Sequence, residues 1–165
     1  MKTLLCLLTI PLLTAACEPA EIPPKNPVHW TIVGGNAARV VKSGETIQVI
    51  LEGDIAKGWH IYSLTQKPGG PIPLRIQLAG AADVGVRGGI QGPEPVTKFD
   101  KNFGIETELY RGKPRFTIPL GVPVGSLTGR RELHVSARYQ ACSDALCHPP
   151  RTEKLAVTLN IKGAG

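Results

Sequence analysis

Cysteine is scarce in this chain. Four cysteines stand among 165 residues, and Cys6 and Cys17 fall within or at the end of an N-terminal leader. The folded part is left with one pair, Cys142 and Cys147, which leaves a closed four-ligand zinc site short of thiolates. Long apolar runs are missing too. The one candidate, residues 4–13, is too short to span a bilayer. No segment carries an apolar stripe of helical period three turns long, which argues against a helix-based fold. Lys and Arg outnumber Asp and Glu by 19 to 13, yet no basic block is interleaved with aromatics, so nothing supports nucleic-acid binding. The scattered positive surplus suits acidic partners or anionic lipid headgroups. There is no internal repeat, and 165 residues suffice for one ordinary domain.

The leader is the first thing present. Lys2 gives a positive start, residues 4–13 an apolar stretch, and Ala15-Ala16 a small-residue cleavage site before Cys17. Leu13-Thr14-Ala15-Ala16-Cys17 resembles the lipobox of bacterial lipoproteins, with Thr14 in place of the usual aliphatic residue. Residues 1–16 are therefore expected to be a signal peptide of lipoprotein type, with lipid on Cys17. Ordinary cleavage after Ala16 would instead give a soluble exported protein. Residues 17–27, rich in proline, read as a semi-rigid tether.

From residue 28 to 163 the pattern has period two. Ile47, Val49 and Leu51 form one apolar face, and Ile72, Leu74, Ile76 and Leu78 another. Phe116, Ile118 and Leu120 form a third; Leu133, Val135, Ala137 and Tyr139 a fourth; Leu155, Val157, Leu159 and Ile161 a fifth. Each run reads as a half-buried strand. With 19 glycines and 15 prolines placed largely between the runs, the expectation is an all-β, immunoglobulin-like antiparallel β-sandwich. Trp30 and Trp59 read as packing residues, and His134 as a solvated one.

The cysteine pair sits in YQACSDALCHPP, residues 139–150, at a hairpin end between the last two strands. Three readings stand side by side. A structural bridge would close a six-residue ring and contribute about 2 kcal/mol, against about 4.7 for a hundred-residue loop. A copper(I) site would take the two thiolates with His148. A redox pair would need an accessible thiolate; His148, Arg138 and Arg151 favour it, while Asp144 opposes it but can handle protons.

The residues also carry a resemblance. YQACSDALCHPP, with KGWHIYS at 57–63 and FDKNFG then ELY between 99 and 110, resembles the N-terminal periplasmic domain of DsbD, the bacterial membrane thiol:disulfide interchange protein. The three blocks come in the family's order and span most of residues 28–162. The spacing of the cysteines is shorter here than in the family's best-known member. The resemblance implies an immunoglobulin-like fold whose Cys142 and Cys147 exchange disulfides without a cofactor or metal. It places His60 and Tyr62 along the site, with His60 where an aromatic is common. It implies a covering loop containing Asp100 and Phe103, with Phe99 as the alternative capping aromatic. Asp144 and His148 flank the sulfurs. The implied partners are thioredoxin-like periplasmic proteins or a membrane thiol reductase. No electron channel or thioredoxin-like domain follows in the sequence, so the pair is expected to act as a protein-disulfide reductase component fed by a separate donor. The competing expectation is a non-catalytic immunoglobulin-like module that binds a partner protein or copper and uses the bridge only as a staple.

Overall fold

Alternation builds this molecule and also positions its rim. A computed structural model describes residues 24–164; the leader, Cys17 and residues 18–23 of the tether lie outside them. Among the described residues there is no helix, and therefore none long and apolar enough to cross a membrane. Twelve strands follow in chain order: β1 (Val28–Ile32), β2 (Arg39–Lys42), β3 (Thr46–Ile55), β4 (Trp59–Tyr62), β5 (Arg75–Ala79), β6 (Gly85–Val86), β7 (Val96–Asp100), β8 (Ile105–Tyr110), β9 (Arg115–Gly121), β10 (Gly129–Tyr139), β11 (Ala141–Ser143) and β12 (Arg151–Lys162).

They form three four-stranded sheets, ordered β1-β3-β9-β6, β2-β12-β10-β5 and β11-β4-β8-β7. The first two face each other as the sandwich. In β10, Leu133, Val135, Ala137 and Tyr139 point inward and are buried, while Glu132, His134 and Arg138 point out. Their ladder partners Val157 in β12 and Ile76 in β5 join the same core, as does Leu159 further along β12. Trp30 links the layers, its ring 5.9 Å from Phe116 and 5.7 Å from Tyr139. Such tilted aromatic pairs contribute about 0.5–1.5 kcal/mol beyond the area they bury. Trp30, read as a packing residue, lies in the core, and His134 is exposed as expected.

Three details differ from the sequence reading. The run at 72–78 is strand only from Arg75, because Pro71 and Pro73 cannot donate to a ladder; Leu74 is still fully buried. One ladder, β12 with β2, is parallel. Phe99 and Asp100 belong to a strand rather than a loop, since β7 pairs with β8 through Asp100↔Ile105.

The third sheet surrounds the cysteine pair. β3 leaves the first sheet at Ile55, turns over residues 56–58 and continues as β4; β10 leaves the second sheet and, past Gln140, continues as β11. β4 and β11 then pair with each other. One strand from each half of the sandwich therefore meets at this end. Alternation divides the new sheet: Trp59, Ile61, Tyr110 and Ala141 join the sandwich core. His60, Tyr62, Leu109 and Cys142 are equally buried on the other face.

Candidate disulfide-exchange site

Cys142 and Cys147 are bonded, with sulfurs 2.05 Å apart. Their four-residue spacing follows from hairpin geometry. Ser143 N donates to Leu146 O at 2.8 Å on one side of the pair, and His148 N donates to Ala141 O at 2.9 Å on the other. The two cysteines thus stand directly opposite each other as a non-hydrogen-bonded pair, the position where facing side chains come closest. Asp144 and Ala145 are left as the turn. Ser143 fixes that turn, its Oγ accepting from Ala145 N at 3.2 Å and Leu146 N at 3.1 Å. The two sulfurs have unequal surroundings: Cys142 is fully buried, whereas Cys147 is partly exposed.

The register of β11 on β4 sets Cys142 opposite His60. His60 is 3 % exposed, and neither ring nitrogen has a hydrogen-bond partner. Its ring stands edge-on to Tyr62 at 5.3 Å, and Tyr62 in turn stands edge-on to Phe103 at 5.9 Å. Tyr62 Oη donates to Asp100 Oδ2 at 2.7 Å, and Asn102 N donates to Asp100 Oδ1 at 2.8 Å. His60 Nε2 lies 3.7 Å from the same Oδ2, beyond hydrogen-bond range. Burial lowers the His60 pKa from its ordinary value, helped by Arg111 and opposed by Asp100. Burial and the bond to Asp100 raise that of Tyr62, so its phenol stays protonated.

Over this face runs the β7–β8 turn, residues 101–104. Gly104 has φ +69°, the left-handed region that glycine enters without penalty, and its N donates to Asp100 O at 2.7 Å. The β7–β8 hairpin is tied to the cysteine hairpin at two places, once from the turn and once from β7. Asn102 Nδ2 donates to Ser143 O at 3.1 Å, and Lys98 Nζ to Asp144 Oδ1 at 3.0 Å. That ion pair holds the Asp144 carboxyl below its usual range. Phe103 is 38 % exposed and lies on Tyr62; Phe99 is 58 % exposed.

His60, Tyr62, Phe103 and Asp100 thus share one face with Cys142. Asp144 is on the rim and paired with Lys98. His148 faces elsewhere: its ring stacks on Trp59 at 4.8 Å and 1°, and Nε2 sits 3.2 Å from Pro24 O. The sequence reading missed three contributors. Trp59 is the platform for His148 as well as a core residue. Lys98 and Asn102 join the two hairpins, and no sequence pattern marks Asn102. Lys98 was legible in principle, two residues before Asp100 and so on its side of the strand. Among the described residues no three His, Cys, Asp or Glu side chains gather at metal-binding range.

Comparisons with known proteins agree with this geometry. Residues 31–159 match the family described as thiol:disulfide interchange protein DsbD, N-terminal. Among solved structures, the N-terminal domain of DsbD from Neisseria meningitidis in its reduced form superposes with a TM-score of 0.53 at 18 % identity. The alignment covers 84 % of this chain and 90 % of that one. The N-terminal periplasmic domain of ScsB from Proteus mirabilis gives 0.52 at 21 %, over 85 % of this chain and 49 % of that one. At these identities the structures speak for the fold. No curated protein matches the chain. The family match spans the sandwich, the covering turn and both cysteines, and on it the chain belongs to the DsbD N-terminal domain family.

Proposed function

We propose that the domain passes reducing equivalents between thioredoxin-like proteins of the bacterial periplasm through Cys142 and Cys147. The observation that carries this reading is the asymmetry of the bonded pair, one cysteine fully buried and the other partly exposed. An incoming thiolate attacks the Cys147 sulfur and expels Cys142 as leaving group, giving a mixed disulfide; the donor's second thiol resolves it. The reduced pair then attacks an oxidised client, Cys147 first. This is protein-disulfide reductase chemistry that draws on a separate electron donor. The same reading holds the domain to a membrane through lipid on Cys17, which the intact mass of the mature chain decides.

The test uses the full chain with Cys6 and Cys17 replaced by serine, so that the pair supplies the only thiols. Incubating the oxidised protein with an excess of a thioredoxin-like dithiol should allow two alkylation labels within minutes, read by mass spectrometry. A structural bridge, with a potential below about −300 mV, resists such donors. Persistent absence of label would turn the reading towards the binding module.

Phe103 belongs to the same proposal as a lid. Its ring rests on Tyr62, and its turn is fastened to the cysteine hairpin through Asn102. Phe103→Ala is expected to leave the fold intact and to speed reaction of the disulfide with small thiols about tenfold, equivalent to about 1.4 kcal/mol of lost protection. Docking proteins displace the lid anyway, so their rates should change less. A sharply lower melting temperature with unchanged thiol rates would instead make Phe103 an anchor.

A further inference from the structure

A buried imidazole with neither nitrogen engaged sits directly across the ladder from Cys142. Opposite residues of an antiparallel pair project to the same face, with Cβ atoms about 4.5–5.5 Å apart. A polar side chain left unpartnered in the interior costs stability, and such a group in a native structure calls for an explanation. Its surroundings suit a group that takes up and releases a proton. Asp100 is the one carboxylate close to the ring, and it is held in place from two sides by Tyr62 Oη and Asn102 N. Arg111 and Lys98 disfavour the imidazolium, while Asp144, like Asp100, favours it. Burial tips the balance, so the resting imidazole is neutral and has a free lone pair.

We infer that His60 is the general base that activates Cys142, with Asp100 as the nearby carboxylate that favours its charged form; the inference rests on the exchange reading above. Cys142 needs such a base because burial raises a thiol's pKa and keeps it protonated. Once Cys147 has formed a mixed disulfide with an oxidised client, His60 takes the proton from Cys142 Sγ. The Cys142 sulfur then attacks Cys147 Sγ. The Cys142–Cys147 bond forms, the Cys147–client bond breaks, and the client sulfur leaves as thiolate. Two electrons pass from the pair to the client, and the proton passes from His60 to that thiolate or to solvent. Asp100 steadies the imidazolium in the interval by its charge, its Oδ2 3.7 Å from Nε2.

The experiment uses the reduced full chain with Cys6 and Cys17 replaced by serine, and one equivalent of 5,5′-dithiobis(2-nitrobenzoate) as a chromogenic disulfide. Attack by Cys147 releases the first coloured thiolate, and attack by Cys142 releases the second. In the wild type the second rate should rise with pH through an inflection below the ordinary histidine value and then level off. His60→Phe should slow the second release at neutral pH by about a hundredfold, the lower end of general-base effects, and abolish the inflection. The first release should stay within about threefold. His60→Gln, polar but unable to act as a base at these pH values, should behave likewise and serves if the phenylalanine variant misfolds. An unchanged second rate and pH profile in either folded variant overturns the inference. A wild-type profile with no inflection overturns it whether or not the variants fold. If the wild type releases no thiolate at all, the exchange reading itself fails, an outcome distinct from the other two.

Discussion

Cys142→Ser and Cys147→Ser should both abolish turnover, but they should fail at different steps. With Cys142 replaced, the partly exposed Cys147 still captures a partner, and nothing within the domain releases it. A covalent complex therefore accumulates. With Cys147 replaced, the remaining thiol is fully buried, on the face covered by the β7–β8 turn. Its reaction with the same partner should be at least about tenfold slower, equivalent to about 1.4 kcal/mol of protection. Non-reducing electrophoresis and intact mass of the adduct with a thioredoxin-like protein would show the difference. Trapping by Cys147→Ser alone would mean that electrons leave through Cys142, and equal trapping by both variants that burial in the oxidised state does not govern the order of attack.

The largest effect on stability is expected at Phe116, in the sandwich core rather than among the residues around the sulfurs. Its side chain is fully buried, with the Trp30 ring at 5.9 Å and the Tyr110 ring at 5.2 Å. Phe116→Ala removes an entire ring from the junction of the sandwich with the third sheet, because Tyr110 pairs with Ile61 of β4. Truncations of this kind cost about 3–5 kcal/mol, against a total stability of about 5–15 kcal/mol for a domain. Urea unfolding of the oxidised protein should show a midpoint shift of that size with little change in slope. The folded fraction should keep its exchange rate. A loss under about 1 kcal/mol would mean that the neighbouring rings close over the gap.

How much of this was legible beforehand depended on whether a strand has a wet face. β10 does, and its alternation gave the inward residues from Leu133 to Tyr139 correctly; in β12 Val157, Leu159 and Ile161 are buried as read, but Thr158 between them is buried too. β4 has none. All four of its residues are buried, because one face meets the sandwich and the other lies under the covering turn, so period two vanishes from WHIY. β7 was hidden for the opposite reason: Val96, Thr97, Lys98 and Phe99 are all exposed, and only backbone pairing makes them a strand. A third sheet assembled from strands that leave two others is a long-range event with no local signature. In the site, the cysteines and the sequence blocks around them named His60, Tyr62, Asp100 and Phe103, which the fold gathers on the face of Cys142, and His148, which turns to Trp59 instead. The facing of His60 and Cys142 needed the register of β11 on β4. The choice of Phe103 over Phe99 for contact with Tyr62 needed the turn geometry.

The contact between His148 and Pro24 has a practical side. The described chain starts at the redox rim, since Pro24 O lies 3.2 Å from a ring nitrogen of the residue that follows Cys147. The other terminus is remote. β12 starts at Arg151, three residues past His148, and runs twelve residues to Lys162, a span of roughly 36–40 Å at about 3.3 Å per residue. A reporter, affinity handle or surface linkage placed just ahead of Pro24 would crowd incoming proteins. One placed after Lys162 would hold the molecule by its far end and present the sulfurs outward to whatever flows past.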